Sequence, residues 1–133
     1  MTVPLTQIPA GHTFDPMTFA VDAEKSRAYR AATGDTLPVY ETESAVPPLA
    51  VAALALGALL EAVGLPDGTL HANESMRVHE AVPVGATLVC NARLAQRSSR
   101  GGWVVTALES EITLDGRTVL TTRATVMCPA EAS

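Results

Sequence analysis

The residues from 48 to 63 form a segment that is apolar on every side of a helix, and this segment constrains the fold most. Glu61 is its only charged residue, and two prolines open it, which suits a first helical turn whose N–H groups lack intrahelical partners. A helix that is apolar all round must be enclosed by other elements. At about 16 residues it falls short of the roughly 20 that a membrane span needs, so we predict a buried core helix.

Four stretches after this helix alternate between apolar and polar residues, as strands do. They lie at 70–80, 86–96, 103–113 and 117–128. Asp115-Gly116, between the last two, is a strong signal for a two-residue hairpin. The pattern predicts an α+β fold in which an antiparallel sheet wraps a central helix. Because an open sheet leaves an edge strand that must be paired or covered, we expect a dimer joined edge to edge.

In the sequence before the apolar helix, we predict a short strand at 18–22 and a second helix at 23–32. Asp22 is suited to cap that helix, since its side chain can accept a hydrogen bond from the first turn. Residues 35–46 are expected to form a loop. No repeat or linker divides the sequence, so we expect one domain over residues 1–133.

Composition excludes several classes of protein. A net charge of −5 and a pI near 5.0 argue against a nucleic-acid partner, which requires a basic surface. Cys90 and Cys128 make neither a disulfide framework nor a zinc set, and both read as small buried hydrophobes. The sequence predicts no cofactor and no metal. With no leader pattern and no membrane segment, we expect a cytoplasmic protein.

Residues 29–40 carry an ordered set of distinctive positions. The order resembles the signature of MaoC-like (R)-specific enoyl-thioester hydratases: an aromatic residue, small-Gly-Asp, then Asn-Pro, an aliphatic residue and His. Leu37 stands in place of the Asn, and Tyr40 in place of the His. The matching residues are Tyr29, Thr33, Gly34, Asp35, Pro38 and Val39.

Two further segments extend this resemblance. Residues 82–88 are similar to the turn that enters the family's long second strand, and residues 70–74 are similar to the strand before it. The resemblance therefore covers most of the chain. It implies the hot-dog fold, an antiparallel sheet around a central buried helix.

The resemblance also implies a reaction. In the family, the Asp and His of the loop hold a water and add it across a trans-2-enoyl thioester, or remove it from an (R)-3-hydroxyacyl thioester. A carboxylate and an imidazole suit proton transfer near neutral pH. Asp35 is thereby a predicted catalytic residue, with a turn-forming Asp as the alternative. Tyr40 is the second, although a phenol with an ordinary pKa of about 10 is a poor base and the alternative is a packed aromatic ring.

Substrate contacts are predicted at the start of the buried helix. The enolate that develops on a thioester oxygen needs N–H donors, and a helix N-terminus presents them with its positive dipole end. Since prolines have no N–H, the first donors after Pro48 are those of Leu49 and Ala50, and we predict that all three residues contact the acyl thioester. His71 is the fourth predicted contact. It has the strand parity of Asn73, on a polar face that borders a cleft or meets solvent.

Four functions stay open at this point. The chain is a hydratase/dehydratase by itself, or the non-catalytic half of one, paired with a chain that has an intact loop. The third is a hot-dog acyl thioesterase, for which Glu61 lies too far along the helix, and the fourth is a non-catalytic acyl-binding dimer. The expected partners are an acyl thioester of CoA or acyl carrier protein and a second hot-dog chain, identical or not; no nucleic acid and no membrane is expected.

Overall fold

The computed structural model describes residues 3–33 and 45–130. The helices are a 3-10 turn at Leu5–Gln7, α1 at Ala23–Thr33 and α2 at Pro48–Glu61. The strands are β1 Met17–Ala20, β2 Ala45–Val46, β3 Leu70–Val78, β4 Val82–Pro83, β5 Thr87–Arg100, β6 Trp103–Leu114 and β7 Arg117–Pro129. The predicted helices and the predicted strands are confirmed, but residues 45–46 form β2 although they were expected to belong to a loop, and the short strand β4 was not predicted. The rest of the expected loop, residues 35–44, lies outside the described residues.

Both helices begin as the sequence predicts. In α1, the carboxylate of Asp22 accepts a hydrogen bond from the backbone N–H of Lys25 at 2.8 Å, which caps the first turn. In α2, Pro47 is the capping residue and Pro48 the first helical residue. Within the described residues the longest helix has 14 residues, and none is long and apolar enough to cross a membrane.

The sheet contains five antiparallel strands in the order β1-β5-β6-β7-β3. The hairpin between β6 and β7 turns at Asp115 and Gly116, with φ of 51° and 81° as a two-residue turn of this kind requires. One face of the sheet, called here the inner face, packs against α2. Across it, Leu94 of β5 pairs with Leu108 of β6, and Leu108 pairs with Ala124 of β7; each is at most 2% exposed.

Helix α2 is buried or half-buried except along one stripe. Its buried residues are Ala50, Val51, Ala52, Ala55 and Leu59. Leu49 is 48% exposed, and Ala53 and Gly57, which follow at spacings of four, are also exposed. The prediction that α2 is enclosed all round is therefore wrong for the structure as described. An apolar sequence alone does not show how many sides of a helix are covered.

The N-terminal residues join the end of α2 to the sheet. Leu5 is fully buried, and its N–H donates to the carbonyl of Gly64 at 2.8 Å. The Gly64 N–H donates in turn to the carbonyl of Val3 at 3.0 Å. Arg97 of β5 donates from Nη2 to the Leu5 carbonyl at 2.6 Å. This set of hydrogen bonds is called here the N-terminal clamp.

The outer face of the sheet carries an ion-pair ladder. Glu109 of β6 accepts from Arg93 of β5 and, at 3.0 Å, from Arg123 of β7. Arg123 also donates to the side chain of Gln96 at 2.8 Å. Because these groups satisfy one another and remain partly exposed, this face reads as a solvated surface.

Candidate functional site

The two predicted catalytic residues, Asp35 and Tyr40, lie outside the residues that the structure describes. Their roles stay predictions. The described part of the candidate site is the start of α2, the segments that hold it, and the inner face of the sheet.

The start of α2 is anchored by a two-stranded ladder. Ala45 pairs with Pro83 and Val46 pairs with Val82, so the residues just before α2 lie against the segment that leads from β3 to β5. Val46 and Val82 are 2% and 4% exposed. Two buried valines thus fix the position at which the first turn of α2 begins.

Only part of the predicted donor set at this turn is available. The Ala50 N–H already donates to the Pro47 carbonyl at 3.0 Å, and the Val51 N–H contacts the same oxygen at 3.4 Å. The Leu49 N–H has no acceptor among the described backbone groups. Of the predicted donors, Leu49 is thus the one that has no backbone acceptor in the described part of the chain, and Pro48 beside it is half-buried.

His71 lies on β3, and its predicted orientation is wrong. A β-bulge between His71 and Asn73 places one extra residue, Ala72, in β3 relative to β7. Because side chains alternate along a strand, this extra residue moves His71 from the face of Asn73 to the opposite face. His71 is paired with Val126, which is 1% exposed and belongs to the core, so His71 lies on the inner face.

Glu74 is the residue that the sequence interpretation missed. It pairs with the buried Ala124, and its side chain is 12% exposed. Its Oε2 lies 3.5 Å from Nε2 of His71, while its Oε1 is buried and has no hydrogen-bond partner among the described residues. The available signal was a carboxylate in the strand segment 70–74, but only the bulge brings His71 to the same face.

The inner face has a second polar group at the same level of the sheet. A bulge between Leu94 and Gln96 in β5 turns Arg97 inward, where it pairs with the fully buried Thr106. Arg97 Nε and Thr106 Oγ1 are buried without partners among the described residues. Arg97 belongs to the N-terminal clamp, which makes it a structural residue.

The remaining candidates have no organised chemistry. Burial raises the pKa of the Cys90 thiol, and a hydrogen bond with Ser110 opposes this in part, so Cys90 is an unreactive core residue. Glu61 is the last residue of α2 and is exposed. Within residues 3–33 and 45–130, no three His, Cys, Asp or Glu side chains are grouped as ligands for a metal ion.

Residues 9–122 match a family model described as FAS1-like, dehydratase domain region. The chain belongs to this dehydratase family. The predicted membership of the MaoC-like group is thereby confirmed. Hydratases and dehydratases make this a lyase-type family, while the activity of the present member stays a prediction. No curated protein sequence matches the chain.

Solved structures share the fold of this family member. A monoamine oxidase regulatory protein from Archaeoglobus matches with a TM-score of 0.81 at 15% identity, over 98% of this chain and 97% of the other. The unliganded (R)-hydratase from Pseudomonas aeruginosa matches with a TM-score of 0.74 at 18% identity, over 98% of this chain and 88% of the other. The truncated HadBC complex from Mycobacterium tuberculosis is a 3R-hydroxyacyl-ACP dehydratase. It matches with a TM-score of 0.78 at 21% identity, over 92% of this chain and 99% of the other. These likenesses confirm the hot-dog fold.

Proposed function

We propose that this chain is a subunit of a MaoC-like hydratase/dehydratase that acts on 3-hydroxyacyl and trans-2-enoyl thioesters of CoA or acyl carrier protein. In this proposal a second hot-dog chain with an intact Asp/His loop performs the proton transfers. The present chain shapes the acyl site and holds the partner.

The observation that carries the proposal is the open edge of the sheet. Strand β3 has nine residues, pairs on one side with β7, and is exposed at every position except Glu74. Its large apolar side chains Leu70, Met76 and Val78 are 52%, 41% and 47% exposed. A long, exposed edge strand invites pairing with another strand. The HadBC structure, described as a complex, gives an example of a hot-dog dehydratase with two kinds of chain.

The substitution at Tyr40 supports the division of labour. Hydration needs one group to hold the attacking water and accept its proton, and another to protonate the carbon. Asp35 supplies a carboxylate, but a phenol in place of the imidazole is a weak base at neutral pH. The start of α2 still offers the Leu49 N–H and the positive end of a helix dipole to a thioester oxygen.

The test is an assay of crotonyl-CoA hydration, in which the loss of the enoyl thioester absorbance measures the rate. We expect little activity from the chain alone and full activity when it is combined with a MaoC-like chain that has an intact loop. Replacing the Asp of the partner loop should abolish the rate, because that loop performs the proton transfers. Asp35→Asn in this chain should change the rate less than about threefold, which is under about 1 kcal/mol in the activation free energy. Release of free thiol from saturated acyl thioesters would contradict the proposal and favour a thioesterase.

A second candidate is autonomous catalysis, in which Asp35 works with Tyr40 or His71. The inward orientation of His71 favours it, because this places an imidazole on the inner face. In this case the chain alone hydrates crotonyl-CoA, and Asp35→Asn abolishes the activity. The same assay therefore separates the two candidates.

A further inference from the structure

Glu74 is an exception on its strand. Every other residue of β3 is exposed, yet the Glu74 side chain is only 12% exposed and points to the inner face, opposite Ala124. A carboxylate is among the side chains that are least often buried, because removal from water costs several kcal/mol unless hydrogen bonds replace the lost hydration. The position of Glu74 therefore needs a partner group.

One of its oxygens has a neighbour and the other has none. Oε2 lies 3.5 Å from Nε2 of His71, which the bulge at Ala72 brings to the same face. Oε1 is buried with no donor among the described residues. The cross-strand row beyond it consists of Ala124, Leu108 and Leu94, none of which has a side-chain donor. A buried acceptor of this kind indicates a site for a donor that arrives from elsewhere.

The bulge is the feature that makes this arrangement specific. Residues three apart on a regular strand lie on opposite faces, so His71 and Glu74 would be separated without Ala72. Bulges often re-aim a side chain next to a functional site. Here the bulge puts an imidazole 3.5 Å from one carboxylate oxygen and leaves the other, Oε1, buried without a partner among the described residues.

We propose that Oε1 of Glu74 accepts a hydrogen bond from the 3-hydroxyl group of a 3-hydroxyacyl thioester, with His71 as the positioning residue that orients the carboxylate. The inference rests on the proposed function and adds that the acyl group lies against the inner face beside β3. It favours an acyl hydroxyl over a donor of a second chain, because Glu74 projects from the inner face and not along the edge where a second strand pairs.

The experiment compares two thioesters that differ in one hydroxyl group. Dissociation constants of (R)-3-hydroxybutyryl-CoA and butyryl-CoA are measured by calorimetry on the full chain assembled with a partner whose loop Asp is replaced by Asn, so that the hydroxyacyl thioester is not turned over. Because a hydrogen bond to a charged group is involved, the assembly should prefer the hydroxyacyl thioester by about 10- to 100-fold. Glu74→Gln should lower this preference by about tenfold, and leave the affinity for butyryl-CoA unchanged.

Two further variants complete the comparison. His71→Asn should reduce the preference by a smaller factor, since it removes the orientation of Glu74 but not the acceptor. Glu80→Gln is the matched control. Glu80 is an exposed carboxylate that pairs with Arg117 at 3.1 Å on the surface, so its replacement should leave the preference unchanged.

The outcomes separate the two proposals. Binding of neither thioester by the unaltered chain overturns the proposed function and this inference with it. Equal binding of both thioesters leaves the proposed function standing and overturns the role of Glu74. If Glu74→Gln weakens the binding of both thioesters equally, the side chain has only a packing role. If the variant dissociates the assembly while the preference for the hydroxyacyl thioester is unchanged, Glu74 contacts the partner chain. Either result overturns the inference.

Discussion

At the scale of single residues, Cys90 shows how burial decides chemistry. It is fully buried, between Met17 of β1 and Ile112 of β6. Its apolar surroundings raise the pKa of the thiol above the ordinary value of 9.0, with a smaller opposing effect from Ser110. The folded protein therefore holds the thiol neutral at a pH where the unfolded chain ionises it.

This shift makes stability depend on pH. Above the ordinary value of 9.0 the unfolded state loses the Cys90 proton and the folded state keeps it, so the free energy of unfolding falls as pH rises. Cys90→Ala removes this contribution. Urea unfolding at about pH 8 and about pH 10 should show a larger loss of stability for the natural chain than for the variant. Equal losses would contradict the assignment.

At the scale of elements, two glycines have opposite roles. Gly116 has a φ of 81° in the β6–β7 hairpin, a conformation that strains any residue with a Cβ. Gly57 lies in α2, is exposed, and has a helical environment with nothing within 4 Å of an added Cβ. An added Cβ at Gly116 also meets nothing within 4 Å, so the two sites differ in backbone conformation and not in space.

The same substitution should therefore change stability in opposite directions. Gly116→Ala is expected to destabilise the protein by about 1–2 kcal/mol through backbone strain. Gly57→Ala is expected to stabilise it by about 0.5–1 kcal/mol, because alanine loses less conformational entropy in a helix. Chemical denaturation of both variants measures the two effects. The same sign for both would mean that the turn or the helix is not as described.

Local signals were sufficient to predict most elements. The cap at Asp22, the prolines that open α2 and the turn at Asp115-Gly116 each depend on neighbouring residues, and the structure has all three. The bulge at Ala72 was not predictable, since it depends on the register between β3 and β7, which lie far apart in sequence. For that reason sequence parity put His71 on the wrong face and overlooked Glu74.

The site could be predicted only in outline. The family motif predicts Asp35 as a catalytic residue and shows the departures at Leu37 and Tyr40, because these are features of residue type and order; the roles of Asp35 and Tyr40 stay predictions. Which N–H groups remain free at the start of α2 depends on the geometry of its first turn, where the Pro47 carbonyl occupies the Ala50 donor. Residue type alone does not contain this information.

At the scale of the whole molecule, the edge strand β3 is the surface through which the proposed assembly forms. If a second hot-dog chain pairs with it, a lysine at Val78 should place a charge in the interface and weaken association by tenfold or more, since burial of an unpaired charge costs more than about 1.4 kcal/mol. Val3→Lys is the matched control, because Val3 is 54% exposed and lies in the N-terminal clamp away from β3. Sedimentation velocity over a range of concentrations measures both. Unchanged association of the Val78→Lys variant would exclude β3 as the interface.

The N-terminal clamp has a consequence for the order of events during synthesis. Leu5 precedes Arg97 by 92 residues, so its carbonyl leaves the ribosome well before the side chain that bonds it. A contact of such long sequence separation cannot form until most of the chain has emerged. The segment around Leu5 must therefore wait, with this leucine uncovered, until β5 is translated, and a nascent chain stopped before that point should be held by chaperones and cleaved readily near Leu5.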